Sequence, residues 1–174
     1  MFKIAGLAGL VISCGFIGVI KSWDLKERVN LLENFYKVIL EMNSKINYFR
    51  KPLPEVLAEC SQNDDIRVFN LLNVSLVDIE QKKGDIGLIW ADNITEIYGD
   101  SPLTERDLDV MSYAGSFIGQ TDCENQEKQF EYMKNQLEQQ IDEAKEMNRT
   151  KGPMYQRIGF FCGAIASADP RSRL

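Results

Sequence analysis

The most conspicuous feature of the hydropathy pattern is an uncharged stretch near the N-terminus. Residues 4–20, IAGLAGLVISCGFIGVI, are bounded by Lys3 and Lys21, with Trp23 just beyond. As a helix this run covers about 25 Å at about 1.5 Å per residue, slightly less than a hydrocarbon core of about 30 Å. Lysines that snorkel and a tryptophan at the headgroups make up the difference. Only one lysine precedes the run and no A-x-A site follows it, so it reads as an uncleaved anchor rather than a signal peptide. Lys21, Lys26 and Arg28 follow the run, against Lys3 and the terminal amine before it. The positive-inside rule then assigns the rest of the chain to the cytoplasm.

Beyond the run the pattern becomes helical throughout. Leu25, Arg28, Leu32, Phe35, Ile39, Met42, Ile46 and Phe49 recur at steps of three and four, a heptad stripe that suits a coiled-coil seam or the core face of a bundle helix. Pro52 and Pro54 end it, and Pro54 opens a short helix through about Ser61. A third helix is predicted from about Asp64 to Lys82, with Phe69, Leu72, Leu76 and Ile79 inward; Gly84 follows its basic end. A fourth runs from about Asp85 to Tyr98, with Ile86, Ile89, Trp90, Ile94 and Ile97 inward, and Trp90 is expected to be buried with its indole N–H paired. Thr104 caps a fifth, whose apolar face is Leu108, Met111, Ala114 and Ile118. Gly119-Gln120-Thr121-Asp122 breaks the pattern, and Thr121 with Glu124 forms a capping-box signature for the longest helix. That helix is predicted over about 123–149, with Phe130, Met133, Leu137, Ile141 and Ala144 on one face and Lys151-Gly152-Pro153 as its stop.

Residues 158–168, IGFFCGAIASA, form a second apolar run. It is too short to span a bilayer, so it reads as a buried helix end, an interfacial segment or a span cut short. No alternating strand pattern competes with the helical ones. The predicted fold is all-α: a bundle of about six or seven helices following an N-terminal transmembrane helix. The predicted organisation is an anchor over 1–22, a cytoplasmic helical domain over 23–157, and an apolar C-terminal segment over 158–174 with an atypical polar tail.

Composition narrows the chemistry. The 174 residues include no histidine, which removes the commonest general base and metal ligand. Net charge is −6, which argues against nucleic acid as a partner. Cys14, Cys60, Cys123 and Cys162 are widely spaced, with no CxxC pair, so no metal site is expected and reduced thiols are. Acidic groups such as Glu105, Asp107 and Asp109, or Glu138, Asp142 and Glu143, read as solvated faces rather than catalytic pairs. Lys82-Lys83-Gly84-Asp85 lacks the glycine spacing of a phosphate loop. The expectation is a non-enzymatic protein with no catalytic residues and no cofactor. The two functional readings are a scaffold in a membrane assembly and a membrane-tethered regulatory adaptor that binds a soluble client. Candidate partner contacts are Gly119, Gln120, Thr121, Asp122 and Gln126. The turn itself explains Gly119, Thr121 and Asp122 as helix stop and cap, but capping does not require Gln120 or Gln126.

The order of several motifs resembles the stage III sporulation protein AB family of endospore-forming bacteria. They are Pro52-Leu53-Pro54-Glu55, Trp90, Leu103 with Asp107-Leu108, Gly115, Gly119-Gln120-Thr121-Asp122, Gln126, Ala144, and Met154-Tyr155-Gln156-Arg157-Ile158-Gly159. Two departures stand out. Phe117-Ile118 occupies a place where the family usually has a basic or polar residue followed by leucine, and Asp169 interrupts what is a second span in the family. The resemblance implies likeness to the platform proteins of type II secretion and type IV pilus machines. It also implies a place in the channel complex joining mother cell and forespore. The implied partners are a secretion-type ATPase, other stage III sporulation channel proteins, the membrane, and a second copy in a homo-oligomer.

Overall fold

In the computed structural model, residues 2–62, 64–81, 84–118 and 123–167 are described, those at 2–17, 123–126, 156 and 158–167 by their backbone. Among them are six α-helices and no strand: α1 (Phe2–Asn47), α2 (Leu53–Cys60), α3 (Ile66–Glu80), α4 (Ile86–Tyr98), α5 (Glu105–Tyr113) and α6 (Cys123–Ser167), with a 3-10 turn at Ala114–Ser116. The all-α prediction therefore holds. The anchor prediction falls mostly on residues 4–17, whose side chains lie outside the described residues. Among those described, no helix is long and apolar enough to cross a membrane.

The chain divides into two compact units. One comprises residues 1–29 and 143–174, the other 30–142. In the larger unit, α2, α3, α4, α5 and the 3-10 turn pack in sequence, each on its neighbours. Leu32, Phe35, Ile39 and Met42 of α1 are buried as the heptad stripe requires. The stripe stops short of its predicted end, because α1 terminates at Asn47 and Phe49 lies exposed beyond it. Phe130, Met133, Leu137 and Ile141 of α6 are buried in the same unit. Tyr36 of α1 donates to Glu138 of α6 at 2.5 Å. Burial and the Glu138 carboxylate push the Tyr36 hydroxyl up to about 12.

Local signals start the shorter helices. Pro52 precedes α2 in extended conformation. Asp65 and Asp85 cap α3 and α4, each accepting from two backbone N–H groups. Asp65 also accepts from Asn34 at 2.8 Å, which ties the start of α3 to α1. Gly84 sits at φ +148, a conformation open to glycine, between α3 and α4.

Three predicted features are corrected. In α3 the buried residues are Val68, Leu71, Leu72 and Ser75, whereas Phe69 is exposed. A polar pair takes part of the predicted apolar seam, with Asn93 donating to Ser75 at 3.2 Å and to Asp78 at 3.4 Å. In α4, Trp90 and Ile94 are buried as expected, but Asn93 and Tyr98 share the core while Ile86, Ile89 and Ile97 are half-buried. The longest helix does not stop at 149, because α6 continues through Pro153 to Ser167. Proline suits the helical φ and costs one backbone bond to the preceding turn, a cost that packing can offset. The packing is visible in the smaller unit: Gly152 is buried, and a Cβ built on it would lie 4.0 Å from Ser22 Oγ.

Candidate interaction surface

The sequence places its candidate contacts at the approach to α6. Gly119, Gln120, Thr121 and Asp122 lie outside the described residues, as does the predicted Thr121 cap. Gln126 falls within α6, with its side chain outside them too. What the structure describes is how the flanks are held. Phe117 and Ile118, the residues immediately before this segment, are 2% and 6% exposed, so both side chains are anchored in the larger unit. Tyr113 contacts the Phe117 ring at 5.8 Å and the Tyr132 ring at 5.8 Å. Phe117 and Ile118 also line a small, mostly apolar hollow with Ile39, Met42, Asn43, Ile46 and Phe130.

A buried carboxylate ties α5 to α6. Asp107 is 0% exposed, which corrects its reading as a solvated acid. Its Oδ2 accepts from the Thr104 backbone N–H at 2.8 Å, and its own N–H donates to Thr104 Oγ1 at 3.2 Å, a reciprocal capping box. With its amide turned so that oxygen faces donor and nitrogen faces acceptor, Gln140 of α6 donates to Asp107 Oδ1 at 3.0 Å and accepts from Arg106 Nε at 3.1 Å. The signal for this tie was the Thr104-x-x-Asp107 spacing, in which aspartate plays the role usual for glutamate.

A second charged cluster holds the α1–α2 turn. Arg50 lies at φ 53 there, in the left-handed region. Lys45 pairs with Glu41 at 2.9 Å and Glu59 at 3.0 Å; Lys51 pairs with Glu55 at 3.1 Å and also with Glu59. Glu59 is held below the usual carboxylate range by Lys51 first and Lys45 second. Lys51 is raised by Glu59 and then Glu55, and Lys45 is raised by Glu41 foremost. The adjacent Cys60 is buried, and burial raises its thiol to about 11, so it is no reactive thiolate.

This cluster should shape stability against pH. The contribution of Glu59 is fully present above its ordinary value of 4.5 and disappears once pH falls through the lowered one. The contribution of the lysines is fully present below 10.5 and is lost as pH rises through the raised values. Glu59→Gln should therefore lower the melting temperature modestly between those limits and converge with the parent at acid pH. A melting-temperature difference that stays constant from pH 7 down to pH 2 would refute the assignment.

No group of three His, Cys, Asp or Glu residues among those described is placed to hold a metal ion. The exposed apolar residues gather elsewhere. Ile66, Phe69, Val74 and Val77 lie on the outer side of α3, and Tyr48 and Phe49 follow α1. Charge is unevenly divided between the units. Residues 1–29 and 143–174 carry 10 basic and 5 acidic side chains, a formal +5; residues 30–142 carry 10 basic and 21 acidic, a formal −11.

No curated protein matches the chain. A solved structure of stage III sporulation protein AB matches it with a TM-score of 0.64 at 16% identity, over 70% of this chain and 96% of that one. At that identity the likeness speaks for the helical fold. The sequence profile described as stage III sporulation protein AB matches residues 3–167, nearly the whole chain, and the chain therefore belongs to the stage III sporulation protein AB family.

Proposed function

We propose that this chain is a non-enzymatic, membrane-anchored adaptor in a secretion-like sporulation assembly between mother cell and forespore. Residues 4–20 hold it in the cell membrane, and its helical body stands in the mother-cell cytoplasm. There it docks a secretion-type ATPase and other stage III channel proteins, with the segment at Gly119, Gln120, Thr121 and Asp122, together with Gln126, as the contact. The family match over residues 3–167 carries this reading, since it places the chain among proteins of one sporulation stage. Two further observations support it. The helix that contains the apolar run, α1, continues without interruption to Asn47. Asp65, Asp85 and Asp107 serve as helix caps, a structural use of carboxylates that agrees with an adaptor.

Fractionation and co-purification from sporulating cells test the proposal. The full chain should resist carbonate extraction, and deletion of residues 1–22 should release the body. Persistence of the deletion variant in the membrane fraction would transfer the anchor role to residues 158–168. The full chain should co-purify with the ATPase, and Gln120→Ala with Gln126→Ala should weaken that complex without loss of folding. Recovery of a soluble client with no channel subunit would support a tethered regulatory adaptor instead.

A further inference from the structure

We infer that the smaller unit carries a collar that recognises anionic phospholipid headgroups, built where α1 and α6 meet at Ser22 and Gly152. The inference rests on the membrane-anchored reading and goes beyond it by naming the class of lipid.

The two helices touch there through small residues. Ser22 is 0% exposed, Gly18 and Gly152 are buried, and a Cβ on Gly152 would stand 4.0 Å from Ser22 Oγ. This close approach brings residues distant in sequence to one level. Lys21 and Trp23 flank Ser22, and Lys151 flanks Gly152. Lys26 and Arg157 lie four and five residues from these two positions, on opposite sides of the crossing because α1 and α6 run antiparallel. At about 1.5 Å per residue the four cations therefore span about 14 Å along the axes, which covers a headgroup layer of about 5–8 Å and the border on either side of it that long basic side chains can reach across.

The side chains at this level have the composition of an interface. The Lys21 side chain is 61% exposed, and Lys26, Lys151 and Arg157 are exposed as well. Among them stand exposed apolar groups: Trp23 at 68%, Ile20 at 53%, Met154 at 48% and Val19 at 41%. Four large apolar side chains exposed around one helix crossing are costly in water. Apolar faces mixed with lysine and arginine suit the boundary between acyl chains and headgroups, where tryptophan also prefers to sit.

Charge selects among lipids. Lys21 pairs with Asp24 at 3.4 Å, and Glu27 is nearby, so the collar is not purely basic. An exposed pair of this kind holds a lysine only weakly, so phosphate groups can recruit it. The whole unit is +5 while the remainder of the chain is −11. A zwitterionic surface would give this separation no role, whereas an anionic leaflet attracts the basic unit alone. Each cation near an anionic leaflet contributes several-fold to partitioning. With four cations and two acidic neighbours, a preference of about tenfold or more is expected at low salt.

The test uses the full chain. It is reconstituted by detergent removal in the presence of two vesicle populations of different density, one of phosphatidylcholine and one rich in phosphatidylglycerol. Flotation then reports how the chain divides between them. The expected result is about tenfold enrichment in the anionic vesicles at low salt, shrinking toward parity in high salt. The variant K21Q/K26Q/K151Q/R157Q changes exposed positions only, and circular dichroism checks that it stays helical. It should still enter vesicles but lose the preference. Equal division of the unmutated chain would overturn the lipid assignment and leave the anchor standing. A preference retained by the variant would overturn the collar. Failure to enter either population would overturn the anchor and the collar together.

Discussion

Trp90→Ala should destabilise the helical body by about 3–5 kcal/mol, the usual cost of emptying a large aromatic site in a packed core. Trp90 is 2% exposed, and its Nε1 donates to the Met111 carbonyl at 3.0 Å. Its ring also meets Phe35 of α1 at 6.4 Å with a tilt of 50°. Truncation therefore opens a cavity and removes one of two donors from the Met111 carbonyl, which keeps the Ala114 N–H, so the cavity is the larger cost. Against a total stability of about 5–15 kcal/mol for a domain, the effect is large. Gly115 makes the seat. A Cβ placed there would lie 2.7 Å from Trp90 Cβ and 2.9 Å from Cγ. Those atoms are the rooted end of the side chain and cannot swing aside. Gly115→Ala should thus cost about 1–3 kcal/mol through overpacking. The two substitutions should couple in part, because removal of the indole takes away Cγ and Cδ1 while the Cβ contact at 2.7 Å stays. Urea denaturation of the full chain in detergent, followed by circular dichroism, measures all three variants. Strict additivity would show that Gly115 is not a seat for Trp90, and a Trp90→Ala loss under about 1 kcal/mol would deny the indole its central place.

The structural reasons for Trp90 and Gly115 also show what could be read from the sequence. A single apolar seam recurring at helical spacing is easy to see, and Leu32, Phe35, Ile39 and Met42 of α1 are all buried, as are Phe130, Met133, Leu137, Ile141 and Ala144 of α6. Caps are legible for the same reason, since Asp85 and Thr104 act within three residues of themselves. The α3 seam was not, because that helix has apolar residues on more than one side and periodicity cannot choose between faces. Tertiary pairing chooses: Ser75 is buried because Asn93 reaches it, and Phe69 is then turned outward. A residue in the core by virtue of a hydrogen bond leaves no hydrophobic trace in the sequence. Pro153 misleads in the opposite direction. Its local preference says stop, but α6 continues where Gly152 packs against Ser22, 130 residues earlier on another helix. The candidate contact segment at 119–122 lies outside the described residues; on its near flank Ile118 is buried as the α5 periodicity expects, and Phe117 is buried as well.

Asp107→Ala should cost about 2–4 kcal/mol, more than an exposed helix cap is worth. A lost cap alone accounts for about 1 kcal/mol. The rest comes from Gln140, which is 2% exposed and would keep a buried amide with no acceptor at 3.0 Å. Asp107→Asn keeps the volume but only one acceptor oxygen, so it can serve either the Thr104 N–H or Gln140 and should fall between the parent and the alanine variant. Thr104→Ala should cost about 1 kcal/mol, because it removes the acceptor of one bond near solvent. A double-mutant cycle between Asp107→Ala and Gln140→Ala isolates the tie between α5 and α6, with an expected coupling of about 1–3 kcal/mol. Denaturant titration of the full chain reads these values. The tie also bears on the proposed partner contact, since α5 and α6 stand on either side of that segment in the chain. Loosening them at Gln140 disturbs the helices that flank the proposed contact. Asp107→Asn should therefore weaken the ATPase complex under conditions where the variant remains folded. A cycle with no coupling would reduce Asp107 to a cap, and an undiminished complex would separate the clamp from the contact.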